Sequence, residues 1–441
     1  MRTFDYAGGT SASAVPRVGS PELGPRQRAQ LELVRTAAPR LAAFTAERPH
    51  LLDHVDRDLT GVLDDDFAHV LQAIAATRVT TGDHLARTYR CYRQQKHLAN
   101  LAFLLGWLPV RHAGRVYATL AEHVLRSISE VCEEEFVAAH GRVCGGRHAI
   151  VALGKLGSRE LSATSDLDLM LVYDFDAQAP VSDGPQPLTG CQYYVRLTQR
   201  LIAALTCNFG DGPMFELDFR LRPWGQKGPI ATHIETLQCY FAGEAWTYEA
   251  MALTRARVVT ASPGFASAVT EALREAIGTT VTRRDVRGDV AEMRRLVQRE
   301  KGSRRVWDIK CAAGGLMDID FIVQGLALDH IAAFDETDMA DTATMVAALA
   351  HARVLATTDA RTLTDAFGLY QAALHLLRIA AVPDPRKMPA ALAAILARAT
   401  GSADLAALEA RLRVTQRAVR ASIVVTVNAR SANLYARKRA A

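Results

Sequence analysis

The pattern of apolar and polar residues changes twice along this chain. From about residue 26 to 145, and again from about 276 to 441, apolar residues recur three and four positions apart, as in amphipathic helices. Between these stretches lie short apolar runs typical of buried strands, at residues 149–153 and 169–173, separated by glycine and serine. The pattern predicts an α+β fold, with a mixed sheet flanked by helical bundle domains at both ends.

Four regions follow from this pattern. Residues 1–25 have few large apolar side chains and many glycine, serine, alanine and proline residues, so we expect a disordered leader. We then expect an N-terminal helical domain at 26–145, a mixed domain at 146–275 and a C-terminal helical domain at 276–441.

The candidate chemistry begins between the first two predicted strands. The turn Gly154-Lys155-Leu156-Gly157-Ser158 follows the first strand, and Asp166 and Asp168 lie at the start of the second. Side chains two residues apart in a strand point the same way, so these carboxylates would hold a metal jointly. Glycine turns offer backbone N–H groups to phosphate, and carboxylates bind Mg²⁺. The alternative is that Ser165 and Asp166 only form a turn into the strand.

A third carboxylate lies in residues 214–222, where apolar and polar residues alternate strictly. The alternation predicts a half-buried strand with Asp218 and Arg222 on its polar face. Three carboxylates repel one another unless cations neutralise them, so the set indicates a two-metal site. An exposed ion pair between Asp218 and Arg220 or Arg222 is the alternative.

A further glycine pair, Gly314-Gly315, opens a predicted helix that carries Asp318 and Asp320 in its first turns. Such a helix start attracts anions, and Lys310 just upstream is a candidate phosphate ligand. Capping and domain docking explain the same residues without chemistry.

Composition narrows the function classes. The chain has 441 residues, 49% of them hydrophobic and 22% charged, which is typical of a folded soluble protein of several domains. The net charge of +5 suits phosphate ligands but is too small to indicate nucleic acid, which we do not expect as a partner. No run reaches the roughly 18 apolar residues of a membrane span, and no signal peptide is recognisable, so we expect a cytoplasmic protein without membrane association.

One basic stripe has two explanations. Arg87, Arg90, Arg93 and Lys96 are spaced three apart in a predicted helix. A solvated helix face accounts for the stripe, and a patch that faces a nucleotide or a partner is the alternative.

Four ordered blocks lie within about 170 residues: Gly154–Leu169, Asp218–Pro223 with Gly228-Pro229, Glu244–Arg257 and Asp308–Phe321. Together they resemble the bifunctional glutamine synthetase adenylyltransferase/adenylyl-removing enzymes. Members of that family carry two homologous catalytic halves, whereas this chain has one G-x-x-G-S…D-x-D block. Its residues 244–259 are more similar to the AMP-attaching half. Asp320 stands where the family usually has Glu.

The resemblance implies a polymerase-β-like nucleotidyltransferase domain at 146–275. It implies transfer of AMP from ATP to a tyrosine hydroxyl of glutamine synthetase, with release of pyrophosphate, in the control of nitrogen assimilation. Asp166, Asp168 and Asp218 would be the catalytic residues and would hold Mg²⁺ or Mn²⁺. The nucleotide phosphates would be bound by Gly154, Lys155, Gly157, Ser158, Ser165 and Arg222.

The partners implied are glutamine synthetase as protein substrate and a PII signal protein as regulator, with room for a separate chain that carries the deadenylylating half. Two other functions stay open. One is phosphorolytic removal of AMP from adenylylated glutamine synthetase. The other is a non-catalytic regulatory module that binds glutamine synthetase or PII protein.

Overall fold

The computed structural model describes residues 23–55, 59–77, 79–210, 212–335, 339, 341–382 and 384–423. Residues 1–22 of the expected leader lie outside this range. The first described part is helical. Its helices are α1 (Pro25–Ala37), α2 (Pro39–Glu47), α3 (Leu59–Ala76), α4 (Thr81–Leu105) and α5 (Val110–His140), with a 3-10 turn at Pro49–Asp53.

The helix ends follow from local sequence. Thr80 caps α4 by accepting a hydrogen bond from the Asp83 N–H, and α4 ends at Gly106 in a left-handed conformation. Helix α5 begins directly after Pro109. In the basic stripe on α4, Arg93 lies over the Phe44 ring and Lys96 over the Tyr92 ring, which favours a helix face that packs against its own neighbours.

The middle of the chain forms a small mixed sheet with helices around it. Strand β2 lies antiparallel to β1, which lies antiparallel to β5 on its other side. On the opposite edge of β2, β3 and β4 run parallel to it. The elements are β1 (Arg147–Ala152), α6 (Gly154–Gly157), β2 (Leu167–Asp174), α7 (Gly190–Leu205), β3 (Leu217–Asp218), a 3-10 turn (Gly225–Lys227), β4 (Ala231–His233), α8 (Ile234–Gly243), α9 (Thr247–Leu253), β5 (Arg257–Ala261) and α10 (Phe265–Arg283).

The last part of the described chain is again helical, and it packs against the middle part. Gly314 has a φ of +82°, and a side chain there would collide with the Gln416 carbonyl oxygen, so a glycine is needed where the last helix crosses. The helices are α11 (Val286–Lys301), α12 (Leu316–Asp329), α13 (Thr342–His351), α14 (Thr357–Ile379), α15 (Ala390–Thr400) and α16 (Leu405–Ile423), with 3-10 turns at Ile331–Ala333 and Pro385–Lys387.

The prediction of a helix-rich α+β chain with a small mixed sheet is confirmed. The division into four regions stays a prediction. Within the described residues, no single helix is long and apolar enough to cross a membrane, and one bent helix pair, Ala390–Thr400 with Leu405–Ser422, passes that test jointly by length and composition alone.

Two details of the predicted strands are wrong. The second strand starts at Leu167, so Asp166 lies just before it. The strand predicted over residues 214–222 is only β3, Leu217–Asp218. The cause is local, because an Asp218 carboxylate oxygen accepts the Arg220 N–H at 2.8 Å and turns the chain out of the sheet.

Candidate active site

Three carboxylates converge at one edge of the sheet. Asp168 on β2 and Asp218 on β3 are direct partners in the parallel pairing, and Asp166 precedes β2. One carboxylate oxygen from each residue lies within 4.8 Å of the other two. Strand pairing thus brings together residues that are 50 positions apart in the chain. The structure assembles the three predicted metal ligands into one cluster.

The negative charge of this cluster is only partly compensated. Burial, followed by the charges of Asp166 and Asp218, raises the pKa of Asp168 to about 6. Arg220 and Lys310 oppose that rise. Carboxylates that repel one another in this way would gain from a cation held between them.

Asp218 also has the ion pair that was the alternative explanation for it. The Arg220 guanidinium donates to both of its carboxylate oxygens, one at 2.8 Å, and lowers its pKa. Arg220 itself is exposed. Both explanations of Asp218 therefore describe the structure, because the residue lies in the cluster and is paired at its outer side.

The glycine turn fits around the cluster. Gly154 has a φ of +52°, and a Cβ there would lie 2.2 Å from Asp168 Oδ2. Glycine is therefore needed both for the backbone conformation and for the approach of the carboxylate. The Arg257 guanidinium holds the far end of the turn through the Leu156 and Gly157 carbonyl oxygens, at 3.1 and 3.2 Å.

The expected phosphate contacts of Gly157 and Ser158 are contradicted. Their N–H groups donate within the turn, to the Leu153 and Gly154 carbonyl oxygens at 2.9 and 3.2 Å. Ser158 is fully buried and its hydroxyl donates to Glu160 Oε2 at 2.9 Å. Gly157 lies so close to the Arg255 carbonyl that a side chain would not fit. Both residues support the turn.

Arg222 is the second correction. It is 7% exposed, and its guanidinium donates to the carbonyl oxygens of Pro229 at 2.7 Å, Phe219 at 2.5 Å and Gly228 at 3.0 Å. These bonds fix the turn that follows β3. The strand alternation placed Arg222 on the polar face, but the chain leaves the sheet after Asp218, so the side chain folds inward and is not available to a phosphate.

Lys310 and Arg378 lie near the carboxylate cluster, and Lys155 lies beside both of them. Lys155 belongs to the α6 turn, Lys310 precedes α12, and Arg378 lies near the end of α14. Among the described residues, none of the three has a carboxylate within ion-pairing distance. Burial, followed by the Arg378 charge, lowers the pKa of Lys155 to about 8. Cations beside a cluster of carboxylates that could hold a metal are suited to a polyphosphate.

Arg378 is the residue that sequence reasoning missed. Its guanidinium donates to the Ser162 hydroxyl. The Ser162 hydroxyl lies 2.9 Å from the hydroxyl of Ser165, and Ser165 directly precedes Asp166. The interaction with Asp166 partly offsets the lowering of the Arg378 pKa by burial. Ser165 thus lies where it was predicted, at the cluster, but a helix more than 200 residues later completes its surroundings.

Asp318 and Asp320 take the structural role that was left open for them. Arg294 donates to both Asp318 oxygens, at 2.9 and 2.7 Å, and the Gly314 N–H donates to the same carboxylate at 2.6 Å. Arg255 donates to Asp320 Oδ1 at 2.6 Å. Docking of the C-terminal helices accounts for both residues.

A buried hydrogen-bond network joins α13 to Glu160, which follows the glycine turn. The Glu160 carboxylate accepts the Thr342 N–H at 2.8 Å and the Thr342 hydroxyl at 3.0 Å. The Thr342 hydroxyl in turn accepts from Arg255 at 2.8 Å. Burial raises the pKa of Glu160, and the nearby Arg255 charge opposes that rise.

The cluster fits a divalent cation by its chemistry. The three residues offer only hard oxygen ligands, which Mg²⁺ and Mn²⁺ prefer. Their oxygens already converge, and burial together with the charges of Asp166 and Asp218 raises the pKa of Asp168. A metal site formed by Asp166, Asp168 and Asp218 is consistent with the structure.

Comparisons with known proteins identify the family of the chain. The family model for glutamate-ammonia ligase adenylyltransferase matches residues 28–272, and a model for GlnD PII-uridylyltransferase matches residues 286–424. Curated relatives named bifunctional glutamine synthetase adenylyltransferase/adenylyl-removing enzyme include one from Xanthobacter autotrophicus, 42% identical over 400 residues and 88% of this chain. Others come from Bradyrhizobium sp. strain BTAi1, 40% identical over 89% of the chain, and Rhodopseudomonas palustris strain BisB5, 40% identical over 88%. The chain spans about 40% of the length of each.

Proposed function

Because the chain belongs to the glutamate-ammonia ligase adenylyltransferase family, we propose that it transfers AMP from ATP to a tyrosine hydroxyl of glutamine synthetase and releases pyrophosphate. The observation that carries the proposal is a cluster of three carboxylates, within 4.8 Å of one another, near three cations that have no carboxylate at ion-pairing distance among the described residues. We propose further that residues 146–275 form a polymerase-β-like nucleotidyltransferase domain between two helical domains.

The carboxylates have the binding role. Asp166, Asp168 and Asp218 would hold Mg²⁺ or Mn²⁺, which when bound would acidify the tyrosine hydroxyl and neutralise charge on the transferring phosphoryl group. The pairing with Arg220 lowers the pKa of Asp218, which makes Asp218 a poor acceptor for the tyrosine proton.

The three cations would bind the leaving group. Lys155, Lys310 and Arg378 would bind the β- and γ-phosphates of ATP and stabilise the negative charge that develops on pyrophosphate. The N–H groups at the start of the α6 turn and the Ser165 hydroxyl would add hydrogen bonds. This assignment replaces Gly157, Ser158 and Arg222, whose donors are used within the protein.

Labelling with ATP that carries the isotope in its α-phosphate tests the transfer. Incubation of the chain with Mg²⁺ and glutamine synthetase should transfer label to a tyrosine, and the Asp168→Asn variant should not. Glu216→Gln is the matched control, because Glu216 is exposed and lies two residues before Asp218. No label on glutamine synthetase with the wild-type chain would contradict the proposal and would favour a non-catalytic regulatory module.

The same cations also suit inorganic phosphate, so phosphorolytic removal of AMP needs its own arm. Adenylylated glutamine synthetase is incubated with phosphate and Mg²⁺, and the release of ADP is measured. We expect little release compared with the attachment reaction. Addition of PII protein to both arms tests its proposed role as regulator, and addition of a chain with the deadenylylating half tests whether the two halves cooperate.

A further inference from the structure

A cavity lies behind the catalytic turn, which is the glycine turn Gly154–Ser158. It has a volume of about 910 Å³, within the range of small-molecule sites, and lies between α5, α10, α14 and the segment Gly157–Glu160. Among the described residues that line it, none belongs to the carboxylate cluster and none is Lys155, Lys310 or Arg378. The cavity is therefore not the proposed phosphate site.

The wall of this cavity contains buried polar groups without partners. Gln371 and His375 lie one helical turn apart on α14 and are 7% and 1% exposed. Neither side chain forms a hydrogen bond within the described structure, and Gln371 Oε1 and His375 Nδ1 are completely covered by protein. Arg255 Nε is likewise buried without a partner. Unpaired buried polar atoms destabilise a fold. Because these three atoms are covered by protein, they cannot contact an occupant of the cavity, whereas Gln371 Nε2 is not among the covered atoms.

The charge and the apolar surface of the lining define what would fit. Six arginines and three acidic residues of the described chain line the cavity, but Arg159 and Arg257 pair with Glu122, Arg255 with Asp320 and Arg274 with Glu271. The positive charge that remains is that of Arg111 and Arg115, which are exposed at the edge of the cavity. Leu273, Ile277 and Phe367 contribute an apolar wall. Burial lowers the pKa of His375 to about 3, so its ring is neutral and adds no charge.

We propose that this cavity binds a small organic anion, whose acceptor oxygens bind Gln371 Nε2, Arg111 and Arg115 while its apolar body packs on α10. The binding site does not rest on the proposed transferase activity. It borders the segment Gly157–Glu160, whose residues hold the catalytic turn, so an occupant would contact the support of the active site directly.

Thermal unfolding of the full chain with added probes tests the site. Phenyl phosphate and phenylacetate compare the two anionic head groups, and inorganic phosphate tests a head group alone. We expect at least one of the two aromatic probes to raise the unfolding midpoint by roughly 2 °C or more, relative to potassium chloride of equal ionic strength. Gln371→Leu should weaken the binding of that probe at least tenfold. Asp365→Asn, an exposed change on the same helix, should leave it unchanged.

Stability without any probe gives the second readout. If the polar side chains of Gln371 and His375 serve ligand binding and not the fold, the Gln371→Leu and His375→Phe variants should unfold at the same temperature as the wild type or at a higher one. A lower midpoint in both would assign them to the fold and overturn the proposal. The proposal is also overturned if neither aromatic probe acts beyond the salt control, or if ATP displaces the probe while Gln371→Leu raises the KM for ATP.

Discussion

Two pairs of carboxylates, Asp166 with Asp168 and Asp318 with Asp320, have the same spacing in the sequence and opposite surroundings in the structure. In the first pair, Asp168 lies in β2 opposite Asp218 and Asp166 lies just before β2, and the three carboxylates converge. The second pair lies in the first turns of α12, where a helix turns residues two apart to different sides.

The difference decides what each pair does. Arg294 and Arg255 neutralise the helical pair from two directions. Neutralised carboxylates hold elements of the fold together, whereas carboxylates that repel one another retain affinity for a cation from solution. The D-x-D spacing alone therefore does not distinguish a structural pair from a metal site, and the type of secondary structure does.

The largest expected effect is on catalysis. Asp166→Asn and Asp168→Asn should each lower the rate of AMP transfer by roughly 10³-fold, because a metal contributes several kcal/mol to a phosphoryl-transfer transition state. Circular dichroism should show an unchanged fold. AMP transfer near the wild-type rate in either variant would show that Asp166 and Asp168 do not form a metal site, and the two pairs would no longer differ in function.

The second effect is on stability. Asp318→Ala should lower the free energy of unfolding by about 3 kcal/mol, because Arg294, which is 6% exposed, would keep a buried charge without its partner. Urea denaturation measures the change. Asp320→Asn is the milder comparison, since the Asp320 side chain is 37% exposed. Equal stability of Asp318→Ala and the wild type would show that the helical pair is not structural.

A third prediction has the opposite sign. Without divalent metal at neutral pH, Asp168→Asn should raise the free energy of unfolding by about 1–2 kcal/mol, because it removes one repelling, partly buried charge. Mg²⁺ should stabilise the wild type and Asp320→Asn but not Asp168→Asn. A wild-type protein indifferent to Mg²⁺ would argue against the metal site even if transfer occurs.

The smallest effect concerns pH. The lowered pKa of Lys155, about 8, means that the ammonium form predominates below that pH and is lost above it. The kcat/KM for ATP of the wild type, divided by that of Lys155→Arg, should therefore fall by up to about tenfold per unit above pH 8. A ratio independent of pH from 7 to 9.5 would show that Lys155 does not bind ATP as a cation.

Local periodicity explains which parts of the fold were predictable. Strands β1 and β2 and the helix-rich flanks follow from short-range patterns. The convergence of Asp218 on Asp168 was predictable as well, since both alternated within strand-like segments. Arg222 was misplaced because the Asp218 carboxylate ends the alternation by bonding to the Arg220 N–H, a local competition that a pattern does not reveal.

Long-range packing explains what the sequence did not show. Arg378 lies on a helix whose sequence has no motif, and only the docking of α14 brings it to Ser162. The partners of Asp318 and Asp320 likewise come from α11 and from the segment between α9 and β5. Such residues become recognisable only when the distances across the molecule are known.

The network of Glu160, Thr342 and Arg255 bears on how such a chain can be divided or recombined. The two matched ranges, 28–272 and 286–424, invite exchange at the segment between them. Yet Thr342 from the second range provides two of the hydrogen bonds of Glu160 in the first. In a chimaera joined between residues 272 and 286, the contacts between the two parts would be mismatched unless the residues at 160, 255, 320 and 342 were transferred together.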